Sequence, residues 1–177
     1  SRLLYDTFQR SHDWCVHVGI ENVGDLNERI CTGHMEDLIL VQEAEQERRI
    51  AEIAAEIASR KDVKFVMIAG PSSSGKTSFS HRLSVQLRTF GLKPHAIGLD
   101  DYFVNRENTP LDENGNYNFE CIEAIDTKLF NSDLVKLLKG KEIEVPEFDF
   151  HIGSKKYNGK KMKLQENQFL FCINNKI

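Results

Sequence analysis

Hydrophobic and polar residues are arranged along the chain in stretches that predict helices and strands. Residues 36–60 contain no proline or glycine and carry apolar side chains three or four positions apart, which predicts one long amphipathic helix. Short apolar runs at residues 65–69, 94–99 and 169–173 predict buried strands. Together these stretches predict an α/β fold with a long helix before the first strand.

Two further helices follow the first and the second of these strands. Residues 75–90 have apolar side chains at helical spacing, and Gly91 stands where a helix C-cap belongs. Residues 127–140 show the same pattern, with Thr127 as the predicted N-cap. A strand, a helix and a second strand imply a right-handed crossover between parallel strands.

The remaining segments have weaker patterns. Residues 13–20 are predicted to form a short strand, and residues 102–120 a long polar connection of a kind that is usually functional or disordered. Residues 143–150 are predicted to be extended around a proline. Residues 155–164 are predicted to form a hairpin that turns at an Asn-Gly pair.

The stretch between the first strand and the helix after it matches a phosphate-binding loop. Gly70, Gly75, Lys76 and Thr77 fit the pattern G-x-x-x-x-G-K-[ST], in which glycines let successive backbone N–H groups point inward toward an anion. Lys76 can reach the β- and γ-phosphates of ATP, and the Thr77 hydroxyl can ligate Mg²⁺. The predicted ATP-binding residues are Gly70, Pro71, Ser72, Ser73, Ser74, Gly75, Lys76, Thr77 and Ser78. The alternative is a Ser/Gly linker between two elements.

Two acidic residues follow the second predicted strand directly. Ligands of parallel sheets bind beyond the carboxyl ends of the strands, so Asp100 and Asp101 are expected at the same edge as the phosphate loop. A kinase needs a base for the acceptor hydroxyl and a clamp for its metal ion. We predict Asp100 as the catalytic base and Asp101 as a metal ligand; water-mediated Mg²⁺ coordination or helix capping is the alternative for the pair.

Composition and charge restrict the partners. The chain has 177 residues, of which 40% are hydrophobic and 28% charged, and this balance is typical of a globular protein. Its net charge of −4 argues against indiscriminate nucleic-acid binding. No apolar run approaches the roughly 18 residues of a membrane span, and no signal-peptide pattern opens the chain. Four scattered cysteines suit reduced thiols, so a cytoplasmic location without a membrane partner is expected.

A metal site near the start of the chain is an alternative interpretation of four clustered residues. His12, Asp13, Cys15 and His17 are all potential ligands, and Cys15 and His17 would share one face of a strand. No second ligand pair at zinc spacing follows, which favours a partly buried strand with incidental polar residues.

Four segments in a fixed order carry a family resemblance. They are the loop at residues 70–78 and the segments at residues 99–103, 118–126 and 146–150. This series resembles the uridine kinase/phosphoribulokinase family of P-loop kinases, and most of all bacterial-type uridine-kinase-like proteins with a threonyl-tRNA-synthetase-like region upstream. The resemblance implies a P-loop NTPase fold, a three-layer parallel sheet with flanking helices. It implies that residues 1–60 are the tail of the upstream region with its connecting helix, and residues 61–177 a kinase domain.

The resemblance also implies roles for individual residues. Asp100 matches the base that takes the proton of the ribose 5′-hydroxyl, and Glu120 stands where the family has an Asp that binds the ribose hydroxyls. Phe103 and Phe148 fall where uridine kinases place aromatic residues against the nucleoside. The alternatives are an exposed loop acid for Glu120 and core packing for the two phenylalanines.

Two departures from the family pattern bear on function. Gly153 stands where uridine kinases have a His that reads the pyrimidine, and His151 lies two positions earlier. After residues 169–173 the sequence lacks the family's acidic-Gly turn and its lid arginines, so the kinase domain is expected to be incomplete.

Three functions remain open at this point. The first is a nucleoside kinase that uses ATP and Mg²⁺ to phosphorylate a 5′-hydroxyl. The second is a P-loop kinase for another small alcohol, such as a sugar phosphate or pantothenate. The third is an ATP-binding protein or fragment with little catalysis. The long helix at residues 36–60 packs on the nucleotide domain in the favoured interpretation, and a homo-oligomer is the alternative.

Overall fold

The computed structural model of the chain describes residues 2–60, 62–70, 73–165 and 168–173. The chain divides into two compact units, Ser1–Arg49 and Ile50–Ile177, and the boundary lies within its longest helix. The helices are α1 Arg2–His17, α2 Val23–Cys31, α3 Met35–Ser59, α4 Lys76–Thr89 and α5 Thr127–Leu138. The strands are β1 Phe65–Ile68, β2 Lys93–Gly98, β3 Ile143–Glu144, β4 Glu147–Asp149, β5 Ser154–Lys156, β6 Lys161–Met162 and β7 Gln168–Ile173.

The first unit is helical throughout its regular structure. The prediction of a strand at residues 13–20 is wrong, because residues 13–17 belong to α1 and residues 18–19 form the turn that follows it. The chain has no proline or glycine from its start to Val18, so nothing interrupts the helix until Gly19, which takes a left-handed φ of 68°. In a helix, Cys15 and His17 point to different sides. Within the described part of the chain, no three His, Cys, Asp or Glu residues converge on a metal site.

The predicted long helix is confirmed as α3. Within the first unit, the carboxylate of Glu45 is buried against the guanidinium groups of Arg48 and Arg49, at 2.7 and 2.6 Å. Hydrogen bonds from Arg48 and Arg49 hold the pKa of Glu45 at about 2. None of the helices that the structure describes is long and apolar enough to cross a membrane.

A parallel sheet organises the second unit. Its order is β1-β7-β2, so the strand that is last in sequence lies between the two that precede it. Successive side chains of a strand point to opposite faces. Phe169 and Phe171 therefore pack with Leu83 of α4 on one face, while Leu170 packs with Leu137 of α5 on the other. This confirms the predicted α/β P-loop fold, a parallel sheet flanked by helices.

Two smaller antiparallel pairs lie beyond the sheet. β3 pairs with β6 and β4 pairs with β5, so the predicted hairpin at residues 155–164 is wrong: its two strands pair with different partners. Pro146 lacks an N–H and separates β3 from β4, so each of the two strands finds its own partner. The Asn-Gly turn itself is present, with Gly159 at a φ of 74°.

The start of α5 also differs from the prediction. The N-cap is Asp126 and not Thr127, which is the first residue of the helix. The Oδ1 atom of Asp126 accepts the N–H of Leu129 at 3.0 Å, and its Oδ2 atom accepts from Lys155 at 2.5 Å. These contacts tie β5 to the beginning of α5.

Candidate functional site

The loop after β1 bends sharply at two left-handed positions. Ser73 has a φ of 59° and Gly75 a φ of 81°. Such values are rare for residues with a Cβ, and a pair of them turns successive N–H groups toward one side. Pro71 and Ser72, which the sequence also assigns to ATP binding, lie outside the described residues. The described part of the loop is compatible with the predicted phosphate cradle.

Lys76 closes this loop from the other side. It is the first residue of α4, is 7% exposed, and donates from Nζ to the carbonyl oxygen of Gly70 at 2.6 Å. A Cβ on Gly70 would lie 3.0 Å from Oγ of Ser74 and 3.5 Å from Cγ of Lys76. A Cβ at position 70 would therefore press against the hydroxyl of Ser74 and only touch the lysine side chain.

The beginning of α4 completes the phosphate side. Gly75 is the N-cap and has no side chain, so the positive end of the helix faces the loop. The first helical hydrogen bond runs from the N–H of Phe79 to the carbonyl of Gly75 at 2.9 Å. Thr77 and Ser78 lie exposed on the first turn. A hydroxyl at this position suits Mg²⁺, which prefers oxygen ligands.

The register of the sheet brings the second group of predicted residues to the same edge. Ile68 of β1 and Gly98 of β2 both pair with Ile173 of β7, so the two outer strands end level with one another. The phosphate loop follows β1, and a single 3-10 turn, Leu99–Tyr102, follows β2. The prediction that the acidic pair shares an edge with the phosphate loop therefore agrees with the observed register.

The two carboxylates have different surroundings. The Oδ1 atom of Asp100 is buried. Asp101 accepts the N–H of Phe148 of β4 at 3.4 Å. Burial raises the pKa of the Asp101 carboxyl, and the charge of Asp100 adds to that effect, while the bond from Phe148 opposes it. This bond places the β4 strand beside the acidic pair.

The two phenylalanines predicted to touch a nucleoside are core residues. Phe103 and Phe148 are 2% and 5% exposed, and their ring centroids lie 5.7 Å apart. Their neighbours Phe119 and Phe150 extend the cluster, at centroid distances of 5.0 Å from Phe103 and 5.0 Å from Phe148 respectively. Phe150 is 42% exposed. Both neighbours lie within the family segments at residues 118–126 and 146–150, but no site role was predicted for them.

Glu120 follows this aromatic cluster on the long connection. Its side chain is exposed, and its N–H donates to Oδ1 of Asn118 at 3.0 Å. The loop before it is closed by a bridge between Leu111 and Tyr117. An exposed carboxylate is accessible to a ligand, and the ribose-binding role of Glu120 stays a prediction.

Sequence reasoning missed Arg106 altogether. Its Nη2 atom donates to the carbonyl oxygen of Phe150 and its Nη1 atom to that of His151 at 3.5 Å. Its guanidinium carbon lies 5.9 Å from the centroid of the Tyr117 ring. No local sequence pattern predicts these contacts, because the partners are 44 and 45 residues away in sequence.

Comparison with known proteins gives a family match over most of the second unit. The model of the phosphoribulokinase/uridine kinase family matches residues 65–172. The uridine kinase of Schizosaccharomyces pombe is 34% identical over 95 residues, which are 51% of this chain and 20% of that protein. The uridine kinase of Mycoplasma genitalium is 36% identical over 85 residues, 48% of this chain and 39% of that protein. The chain thus spans between a fifth and two fifths of the length of these relatives.

Solved structures share the fold. A structure from Bacillus stearothermophilus, described as that of a possible uridine kinase, has a TM-score of 0.58 at 23% identity and covers 73% of this chain and 71% of its own. The D-glycerate 3-kinase of Cryptococcus neoformans has a TM-score of 0.53 at 16% identity, covering 73% of this chain and 52% of its own. Likeness at this level of identity concerns the fold alone.

Proposed function

Because the chain belongs to the phosphoribulokinase/uridine kinase family, we propose that it acts as a kinase. The reaction transfers the γ-phosphoryl group of ATP to the 5′-hydroxyl of a uridine-like nucleoside. The observation that carries the proposal is the position of Lys76 and Asp100, which follow two strands that end level at one edge of the sheet. A phosphate anchor and a carboxylate base are the groups that phosphoryl transfer to an alcohol requires.

In this proposal the loop and the start of α4 hold the triphosphate. The ammonium group of Lys76, now 2.6 Å from the carbonyl of Gly70, moves to phosphate oxygens when ATP binds. The hydroxyl of Thr77 and the carboxylate of Asp101 supply oxygen ligands for Mg²⁺. Mg²⁺ neutralises charge on the phosphate oxygens when it is bound.

Asp100 acts as the base. The acceptor hydroxyl gives its proton to the carboxylate of Asp100 as its oxygen forms a bond to the γ-phosphorus. The bond from that phosphorus to the β–γ bridging oxygen breaks, and ADP leaves with the bonding pair. Burial of Oδ1 of Asp100 keeps water away from one side of the carboxylate.

Glu120 binds the acceptor sugar. A carboxylate has two oxygens and can accept hydrogen bonds from two neighbouring hydroxyls, which suits the 2′- and 3′-hydroxyls of a ribose. The exposed position of Glu120 beside the aromatic cluster supports this role. Other small alcohols, or ATP binding with little catalysis, are the competing functions.

Three features outside the catalytic site also enter as proposals. Residues 1–60 represent the tail of a threonyl-tRNA-synthetase-like region with its connecting helix. The four cysteines favour a cytoplasmic location. A homo-oligomer remains the alternative to α3 simply packing on the kinase domain.

The experiment measures ADP release from Mg·ATP with a panel of nucleosides and small alcohols. We expect uridine or a related ribonucleoside to stimulate turnover, and Asp100→Asn to lower kcat by about 10²- to 10⁴-fold with ATP affinity unchanged. Glu123→Asn, which alters an exposed acid of the same connection, is the control and should leave kcat unchanged.

Each competing function has its own outcome. Stimulation by a sugar phosphate or pantothenate, but by no nucleoside, would assign the second function. ATP binding without stimulation by any acceptor would assign the third. Equal kcat in the wild type and in Asp100→Asn would remove Asp100 from the mechanism.

A further inference from the structure

We propose that Arg106 is a positioning residue for the acceptor side of the site, and that Gly153 is glycine in order to admit it. The inference rests on the proposed function, since it concerns how the acceptor is held. Arg106 contacts neither the phosphate loop nor the acidic pair in the described structure. It acts on the segments that carry the aromatic cluster and Glu120.

Arg106 joins two segments that are distant in sequence. Its backbone N–H donates to the carbonyl of Gly153 at 2.7 Å, and its guanidinium donates to the carbonyls of Phe150 and His151. The same guanidinium lies over Tyr117. A planar guanidinium can hold two carbonyls and a ring at once, whereas an ammonium on a flexible stem cannot. One side chain therefore fixes the turn between β4 and β5 against the long connection.

Gly153 is required on two grounds. Its φ is 76°, which L-residues with a side chain rarely adopt. A Cβ at this position would lie 2.7 Å from both Cβ and Nε of Arg106 and 3.0 Å from its Cζ. The glycine thus makes space for the stem of Arg106 as well as for the turn.

The turn that receives Arg106 is itself firmly held. The N–H of Gly153 donates to the carbonyl of Asp149 at 2.6 Å, and Oδ1 of Asp149 accepts the N–H groups of His151 and Ile152 at 2.9 and 3.1 Å. The other carboxylate oxygen of Asp149 pairs with Lys156. The carbonyls that Arg106 binds are therefore fixed points.

The consequence concerns the rings around the predicted ribose acid. Phe150 and Tyr117, the two aromatic residues that Arg106 contacts, are the exposed ends of a row of rings. This row passes through Phe119, the residue before Glu120. If Arg106 is removed, the turn between β4 and β5 and the segment at residues 117–120 lose their shared anchor. Acceptor binding should suffer, and ATP binding should not.

The test measures KM for uridine and KM for Mg·ATP separately in Arg106→Gln and Arg106→Lys. We expect Arg106→Gln to raise KM for uridine about tenfold, with kcat within about threefold and KM for Mg·ATP unchanged. Arg106→Lys should recover less than half of the loss, because lysine lacks the planar fork. The control is Arg88→Gln, at an exposed arginine of the last turn of α4, which should behave as wild type.

A second measurement keeps this inference separate from the proposed function. Amide hydrogen exchange at residues 117–120 and 150–153 should be about tenfold faster in Arg106→Gln than in the wild type, with α4 unchanged. If no ribonucleoside stimulates the wild type, the proposed function is wrong, and exchange alone decides the positioning role. Unchanged exchange in these segments, or equal rises in both KM values, would overturn the inference.

Discussion

The phosphate side and the acceptor side of this site are built in different ways. On the phosphate side, Gly70, Gly75, Lys76 and Thr77 lie within eight consecutive positions, and their geometry is set by one loop and one helix start. On the acceptor side, three segments of chain meet, and Arg106 reaches across 44 residues to Phe150. A substitution on the first side should therefore have a local effect, whereas one on the second side should spread through several segments.

The largest expected effect tests the phosphate side. Lys76→Ala should weaken Mg·ATP binding by about 100-fold or more, because the phosphates lose their charge-assisted hydrogen bonds. The free energy of unfolding should change far less than the free energy of Mg·ATP binding. Isothermal titration calorimetry measures the affinity, and Lys139→Ala, at the exposed C-cap of α5, is the matched control. Retained ATP affinity in Lys76→Ala would show that the phosphate cradle is misassigned.

The second prediction tests whether the acceptor side depends on the Gly153 contact. Gly153→Ala and Gly159→Ala both place a Cβ at a positive φ, of 76° and 74°, and each should lose about 1–2 kcal/mol of unfolding free energy for that reason. A Cβ on Gly159 meets no described atom within 4 Å, whereas one on Gly153 meets Arg106. Gly153→Ala should therefore be less stable than Gly159→Ala by about 2 kcal/mol in urea denaturation. Equal losses would contradict the close approach.

The third prediction concerns the acid on the acceptor side. Glu120→Gln should raise KM for uridine about tenfold and leave KM for Mg·ATP unchanged, because a carboxylate that accepts two hydroxyls becomes an amide that accepts less strongly. Steady-state kinetics on the two substrates measures both values. Glu123→Gln, at the next exposed acid of the same connection, should have no effect. An equal rise in the two KM values would argue against a role confined to the acceptor.

The smallest expected effect concerns Asp101, which joins the phosphate side to the acceptor side through its hydrogen bond from Phe148. Burial raises the pKa of Asp101, so the folded protein binds this proton more tightly than the unfolded chain does. Its ionised form therefore lowers stability above the folded pKa, and stability recovers as the pH falls through that value. Asp101→Asn should be slightly more stable than the wild type at pH 8 in urea denaturation, with a smaller difference at pH 4. A less stable variant at pH 8 would contradict the direction of the shift.

Asp101→Asn should also need a higher Mg²⁺ concentration for half-maximal activity than the wild type. The amide keeps one oxygen for the N–H of Phe148 but has no charge for the cation. Titration of activity with Mg²⁺ measures the change. An unchanged Mg²⁺ requirement would leave Thr77 as the remaining predicted ligand.

The difference between the phosphate side and the acceptor side also decides how much of each could be predicted from the sequence. Apolar runs at residues 65–69, 94–99 and 169–173 became β1, β2 and β7, and the phosphate loop was recognisable because its chemistry lies within a few consecutive residues. The pairing of the strands, in contrast, could not be predicted from the sequence. The hairpin at residues 155–164 was predicted from its own turn, while both of its strands pair with residues before Pro146 or directly after it.

The acceptor side was predicted only where a side chain follows a strand or a family segment. Asp100 and Glu120 were predicted in this way, and their roles stay predictions. Phe103 and Phe148 were named as ligand contacts, but their burial depends on packing among rings from three segments, which no single segment encodes. The role of Arg106 could not be predicted either, because it depends on the close approach of Gly153 in the folded chain. The strand at residues 13–20 was a local error, because residues 13–17 continue a helix that no proline or glycine interrupts.

The strand order has a consequence for synthesis on the ribosome. In the described sheet β1 and β2 are each hydrogen-bonded to β7 and not to one another, and Phe65 pairs with Leu170, about a hundred residues later. At a synthesis rate of about 5–20 residues per second, β7 is made on the order of ten seconds after β1. During that interval both strands have unpaired edges, which are targets for chaperones or for aggregation. The phosphate loop is therefore translated well before the strand that completes its supporting sheet.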